Sequence, residues 1–406
     1  MTDYIKEMKR FFLGFWRKRS VFVLFLVLIT QLTFARKTAE FPTNAGMQGV
    51  LDSMIDKGDF AGIITVVATA HHIESLNCAG YQDAEQRLKM KPNTLFWIAS
   101  QSKPIAATAV MMLVDDGKVD LDAPVEKYLP ELKRLVVSTK WTDSIQVEQR
   151  VHRPVTLRRL LSHTAGLKWV GGVQEKMGVI DVVPLQVAVY VTAMTPLEAV
   201  PGTRFIYSNQ GINVAAAIVE RVSGMPYEEF LQKRLFTPLG MINTTFWPSK
   251  GQQKQLAVPY EKINGKLTPT TVSQLQYPLE DKMKRHPEAA GGLFSTPEDL
   301  VKFYQMIAGK GVYKGKRFLS ENSVNEMGKK QTGDKVDAFY GLGWTVSKDE
   351  MSHGGSYGTD SRVNRETGWI TMYFVQEKGL DKENSQSIDM FISKVKEVFD
   401  LSEVIK

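Results

Sequence analysis

Residues Phe96 to Leu113, "FWIASQSKPIAATAVMML", set a serine and a lysine three positions apart at the head of a run that turns apolar at helical spacing. On a helix, positions i and i+3 share a face about one turn apart, so Lys103 stands beside the Ser100 hydroxyl. A free serine is a weak nucleophile and needs a base. Lysine serves as one when burial lowers its pKa, and the apolar run supplies that burial. The head of a helix adds backbone N–H groups and the positive end of the helix dipole, where negative charge developing on a carbonyl oxygen is stabilised. Such a pair can form and break an acyl-serine ester.

The spacing alone recurs by chance, and two other stretches give it weight. "PGTRFIYSNQGINVAAAIVE" places Tyr207 and Asn209 on a turn that opens a helix: a tyrosine there can relay a proton, and an asparagine can hydrogen-bond a substrate carbonyl. "MSHGGSYGT" puts His353, Gly354 and Gly355 on a strand, where glycines let a substrate lie close to the backbone. The remaining chemistry-bearing residues read as structural. Cys78, the only cysteine, lies in a strand interior, so no internal disulfide forms. His163 ends a helix before a glycine, where its ring can bond terminal carbonyls; His71 and His72 sit in a hairpin turn, His152 and His286 in polar loops. Trp344 reads as core, Asp360 and Arg362 as a surface salt bridge, and Glu288 has no evident role. With six His and no H-E-x-x-H or C-x-x-C, nothing supports a metal.

The elements that must position these residues follow from periodicity. "FAGIITVVATA" (60 to 70) and "IESLNCAGYQD" (73 to 83) read as an antiparallel strand pair. After Ser100 the period becomes 3.6, with Ile105, Ala109, Met112 and Leu113 on one face. Residues 155–167 and 210–224 are further helical segments with glycine stops, and 295–311 opens with Ser295 or Thr296 capping ahead of Glu298 and Asp299. Short strands return at 339–347, 350–358 and 368–376, and Ile388, Phe391, Ile392, Val395 and Phe399 stripe a last helix. The expected fold class is α/β (α+β): an antiparallel sheet built from both chain ends and flanked by helices, with a helical lobe, roughly 105–310, inserted between. A cleft is expected where lobe and sheet meet.

Residues 1–35 stand apart. Six Lys and Arg against Asp3 and Glu7 precede "SVFVLFLVLITQLTFA", an apolar stretch ending at a small-x-small site. This is the pattern of a secretory signal with a long basic region, or of an anchor if it stays uncleaved. The segment holds a net +4 of the chain's +7, which leaves +3 for residues 36–406. With no basic run interleaved with aromatics, nucleic acid is not an expected partner.

The three motifs, in this order and spacing, resemble the penicillin-recognising serine hydrolases: class C β-lactamases, D-alanyl-D-alanine carboxypeptidases and related esterases. The likeness spans roughly residues 45–400 and includes "GKVDLDAPVEKYLPEL", "LLSHTAGL" and "AGGLFSTPEDLVKF". It implies Ser100 as nucleophile, Lys103 as its base, Tyr207 as proton shuttle and Asn209 as substrate holder, with His353, Gly354 and Gly355 on the substrate-binding strand. The N–H groups of Ser100 and Ser356 are implied as the oxyanion hole. No cofactor is implied. The substrate is a small ester, amide or β-lactam, or a peptidoglycan peptide, met in the periplasm or outside the cell, with a membrane involved only if the N-terminal segment is uncleaved. Class C β-lactamases carry Lys-Thr-Gly where this chain has His353-Gly354-Gly355, and a histidine is mostly neutral at pH 7. "KKQTG" at 329–333 lies outside that strand and is a decoy. An esterase-like activity is therefore expected first, β-lactamase or D-amino-acid peptidase activity second, and a non-catalytic binder of cell-wall fragments third.

Overall fold

The apolar run after Phe60 forms strand β1 (Gly62–Ala68) and the next β-rich stretch forms β2 (Ile73–Asp83), joined through the exposed His71 and His72. They pair antiparallel, Ile64 opposite Cys78 and Val66 opposite Leu76. Every residue of β1 is buried, as in a strand covered on both faces. β3 (Leu88–Lys89) extends β2, and the C-terminal part of the chain supplies β4 (Thr345–Val346), β5 (Glu350–Gly355), β6 (Thr359–Asn364) and β7 (Ile370–Phe374). β7 returns to β1 with Ile64 opposite Phe374, so the sheet runs β4-β5-β6-β7-β1-β2-β3 and is antiparallel throughout. The sheet is thus assembled from both ends of the chain, as the sequence implies.

The computed structural model describes residues 41–141, 146–170, 172–275, 278–334, 336–380 and 382–399. The chain divides into two units, Met1–Phe41 and Pro42–Lys406, and sheet, helices and site belong to the second. The expected signal segment lies outside the described residues. The helices that cover the sheet and build the site are α1 (Ala45–Asp56), α2 (Ser102–Asp115), α3 (Asn209–Ser223), α4 (Pro297–Ala308) and α5 (Lys382–Val398). α1, which the periodicity did not single out, packs Met47, Leu51 and Met54 with Ile388, Phe391 and Val395 of α5 against Ile63, Val67 and Tyr373. α4 contacts β1, β6 and β7 and is capped by the Thr296 side chain, which accepts from the Asp299 N–H. The inserted stretch is less helical than expected: it also contains hairpins at Val136–Trp141 with Gln146–Arg150 and at Tyr260–Ile263 with Lys266–Pro269.

Two departures from the periodicity bear on the site. α2 is apolar all round rather than on one face, with every residue from Ser102 to Leu113 buried. The helix expected over 155–167 is only Leu157–Leu161, because the chain turns at His163 with φ +58°. Trp344 has no exposed surface and stacks on Phe303, centroids 6.2 Å apart. Its neighbour Gly343 (φ +75°) lets the chain run against α2, since a Cβ there would lie 2.8 Å from the Lys103 carbonyl oxygen.

The sheet-facing layer of α1 and α5 holds the two chain ends together through apolar contact. Replacing buried Phe391 by Ala is expected to cost about 3–5 kcal/mol in denaturant unfolding; a loss below about 1 kcal/mol would mean that α5 adds little to the core.

Candidate active site

Two segments distant in sequence set the position of Ser100. Phe96–Trp97 pairs antiparallel with Phe294–Ser295, and the Ile98 N–H continues the ladder to the Leu293 carbonyl at 3.0 Å. The chain then turns at Ala99, whose φ of +45° is a left-handed conformation that a non-glycine residue keeps only where its surroundings hold it. Ser100 follows in the 3-10 turn Ala99–Gln101 that leads into α2.

Lys103, in the first turn of α2, donates from Nζ to Ser100 Oγ at 2.9 Å and to the Ala290 carbonyl at 2.8 Å. Its side chain has no exposed surface. Burial pushes the Lys103 ammonium down to about 7, against the Glu288 charge that pulls it up. Once neutral, the same amine can accept the Ser100 hydroxyl proton across the 2.9 Å contact.

Tyr207 closes the group from the other side. Its ring centroid lies 4.6 Å from Lys103 Nζ. Burial pushes the phenol up to about 12, outweighing the downward pull of the Ser100 hydroxyl, so Tyr207 is a neutral hydroxyl at pH 7. Ser208 caps α3, its side chain accepting from the Gly211 N–H. The Ser208 N–H donates to His163 Nδ1 at 3.1 Å, and the His163 ring lies against that of Tyr207 at 4.4 Å. His163 therefore does not bond terminal carbonyls, as its helix-end position suggested; it braces the turn that carries Tyr207. The Asn209 N–H donates to the Trp169 carbonyl at 2.7 Å, and the buried side-chain oxygen Asn209 Oδ1 has no partner among the described residues.

β5 lies alongside this turn, and its alternation corrects one sequence expectation. Successive side chains point to opposite faces, and burial along the strand sends Met351 and His353 inward and Gly354 outward. His353 is not on the cleft wall. Its Nε2 is 2.8 Å from the Tyr340 hydroxyl and its Nδ1 2.7 Å from the Gly354 carbonyl, so both ring nitrogens are engaged. Burial, with the Lys103 charge behind it, pushes His353 down to about 3, which keeps the ring neutral. Gly355 serves packing rather than substrate approach: a Cβ there would lie 2.3 Å from the Ile98 carbonyl oxygen. At Gly354 a Cβ would meet nothing closer than 3.4 Å, and the residue is exposed to the cleft. Just past the strand, the Ser356 N–H donates to no acceptor among the described residues, and neither does the Ser100 N–H.

Ser100, Tyr207, Asn209, Gly354 and Ser356 open on one cavity of about 700 Å³. Its walls are mainly apolar, including Trp97, Trp169, Val179, Ile180 and Ile206, with Lys168, Glu175 and Glu198 among them. The structure also brings in residues that the motifs did not point to. Glu288 is buried, and its Oε2 accepts from Asn213 Nδ2 at 2.6 Å. Burial pushes the Glu288 carboxyl up, while the Asn213 bond and the Lys103 charge pull it back toward the ionised form, so its charge is set together with that of Lys103. A signal for this pair was available: Asn213 lies four residues after Asn209, on the same helix face. Tyr340, whose hydroxyl lies 2.8 Å from His353 Nε2, was singled out by no motif. Asp360 and Arg362 do pair, Nε to Oδ1 at 2.8 Å, but within β6 and partly buried. Cys78 is in β2, its thiol pushed up to about 12 by burial. Among the described residues no three His, Cys, Asp or Glu converge as metal ligands would.

Comparison with known proteins places this geometry in a family. A family model described as Beta-lactamase matches residues 44–389. Protein Rv1367c of Mycobacterium tuberculosis (strain ATCC 25618 / H37Rv) is 28% identical, over 82% of this chain and 89% of its own. Esterase EstB of Burkholderia gladioli is 27% identical, over 74% of this chain and 77% of its own. Among solved structures, EstCE1, a hydrolase with promiscuous acyltransferase activity, has a TM-score of 0.71 at 22% identity, covering 86% of this chain and 97% of its own, a likeness of fold. The chain belongs to the Beta-lactamase family and is a serine hydrolase.

Proposed function

We propose that the protein is an exported esterase-type hydrolase that works through an acyl enzyme on Ser100. The observation that carries this reading is the 2.9 Å contact between Ser100 Oγ and a Lys103 amine buried deeply enough to be neutral near pH 7. Neutral Lys103 takes the Ser100 proton as Oγ attacks the ester carbonyl carbon. The oxyanion accepts from the Ser100 and Ser356 N–H groups, which need no reorganisation to receive it. Tyr207, still protonated, gives its proton to the leaving alcohol as the C–O bond breaks, and recovers one from the Lys103 ammonium. Water then attacks the acyl ester by the reverse relay, releasing the acid and restoring the Ser100 hydroxyl. Asn209, which borders the cleft, holds a polar group of the acyl chain through its side-chain amide.

Preference for esters over β-lactams is supported by the wall chemistry. The His353 ring is neutral and turned inward, and among the described lining residues the one cation, Lys168, shares the cleft wall with the carboxylates of Glu175 and Glu198. The mainly apolar lining suits an uncharged acyl group. Export is supported by the basic and apolar pattern of residues 1–35; Arg36 is then the expected first residue of the mature protein, and N-terminal sequencing that recovers Met1 from the secreting cell would overturn cleavage.

Ser100→Ala should abolish both hydrolysis of a short-chain p-nitrophenyl ester and labelling by a fluorophosphonate, read by intact mass; retained labelling would assign the nucleophile elsewhere. Lys103→Ala should slow acylation by about 10²–10⁴, the usual loss for a general base. A penicillin adduct that turns over as fast as the ester would replace the esterase reading by a β-lactamase one. The pH dependence has a defined sign. Because Lys103 acts in its neutral form, kcat/KM should rise as pH passes through about 7, with no fall from Tyr207 until its proton is lost toward about 12. A profile flat between about pH 5 and 9 would mean that another group is the base.

A further inference from the structure

Ammonium formation at Lys103 needs a counter-charge. When Lys103 takes the serine proton it becomes a cation with no exposed surface, and an isolated charge in that position is costly unless an opposite charge faces it. The neighbours that act on it are His163 and His353, both buried and neutral, the neutral Tyr207, and Glu288. Glu288 is the one carboxylate among the described residues whose charge bears on Lys103.

Glu288 is built into the same short segment that Lys103 contacts. Asn213 of α3 grips it twice, Nδ2 donating to Glu288 Oε2 at 2.6 Å and Oδ1 accepting from the Ala289 N–H at 3.0 Å. The Gly291 and Gly292 N–H groups both return to the Glu288 carbonyl, at 3.2 and 2.7 Å. Gly292 permits that tight turn, since a Cβ there would lie 2.9 Å from Glu288 Cβ. The turn presents the Ala290 carbonyl to Lys103 Nζ. The second carboxylate oxygen, Oε1, has no hydrogen-bond partner among the described residues although Glu288 is 2% exposed. A carboxylate left half-satisfied in the core is expensive as a structural device. Asp181 and Tyr227 are the other titratable groups whose fields meet Glu288; Asp181 is committed to Arg285 through a 2.5 Å ion pair.

We propose that Glu288, held by Asn213, is a positioning residue that acts through Lys103: its buried carboxylate raises the proton affinity of the lysine against burial and stabilises the ammonium formed when Ser100 is deprotonated. The pair titrates as a unit, and Asn213 couples it to α3, whose first residue, Asn209, borders the cleft one turn away on the same face. This inference rests on Lys103 being the base for Ser100.

The test reads the rate of fluorophosphonate labelling at Ser100 against pH in the full-length protein, which reports serine activation without substrate specificity. In Glu288→Gln the shape and the Asn213 contacts are retained while the charge is lost. Lys103 then gives up its proton at lower pH, so the acid limb should move down by about one unit, together with a lower plateau because the ammonium is less stabilised. A lower plateau with the limb unmoved would reduce Glu288 to a structural role and overturn the proposal. Asn213→Ala, which removes the bond that favours the ionised carboxyl, should move the limb the same way by less, and it carries the test if Glu288→Gln does not fold. Lys103→Ala separates the two readings: if it labels as fast as the wild type, the base assignment itself fails, whereas slow labelling in Lys103→Ala beside an unmoved limb in Glu288→Gln removes only the role of Glu288.

Discussion

The burial of Lys103 is the constraint from which the site follows. A lysine amine inside an all-round apolar helix must be neutral, or be a cation facing an anion, and every group against it answers that requirement. The Ala290 carbonyl takes one hydrogen bond, Ser100 Oγ another, and the Tyr207 ring covers it at 4.6 Å. An exposed lysine at the same i+3 position would hold its proton at pH 7 and would be useless as a base. The apolar character of α2 is thus part of the chemistry as well as of the core.

Holding that lysine beside a serine requires chain segments from three parts of the sequence to converge, which is why the sheet is closed by strands from both ends. Phe294–Ser295 fixes Phe96–Trp97 from one side. β5 fixes Ile98 from the other, at a distance that leaves no room for a side chain on Gly355. The two unpaired N–H groups, of Ser100 and Ser356, are set by this backbone contact and not by side chains that could swing away. Behind them, His163, Tyr340 and His353 make a buried layer that is polar yet uncharged, with Tyr340 bonded to His353 and His163 packed on both Tyr207 and Tyr340. A charged residue in that layer would compete with Glu288 for control of Lys103.

How far the sequence reveals this depends on whether a residue's partners are local. β1, β2, α2, α3 and α4 show in the periodicity because their burial pattern is carried by their own apolar residues. β6 does not: Thr359, Asp360, Ser361, Arg362 and Asn364 are polar in a strand that lies inside the sheet, and Ser361 is accommodated by a 2.9 Å bond to Gln101 that only the tertiary fold supplies. The Ser100 and Lys103 pair is legible as an i, i+3 relation, and Tyr207 and Asn209 by their place in a motif. The inward turn of His353 is a matter of strand register, which cannot be assigned until the neighbouring strands are known. Glu288 is hidden for a similar reason, since its partner Asn213 is 75 residues away and the lysine it faces is further still.

The division of labour between scaffold and loops also separates the two properties of the site. The groups that move protons sit on the turn into α2 and its first turn and on the turn into α3, and the 288–291 segment that positions Lys103 is held by its own backbone bonds. Much of the wall that a substrate meets is drawn instead from residues 168–170, 178–180 and 198–206, which lie between elements and carry Trp169, Val179, Ile180 and Glu198. Loops tolerate change more readily than the elements they join, so acyl-group preference can drift in this chain while the proton affinity of Lys103 stays put. The reverse holds for Glu288, which lines no part of the cleft: its charge tunes when the enzyme is active, and the loops determine on what.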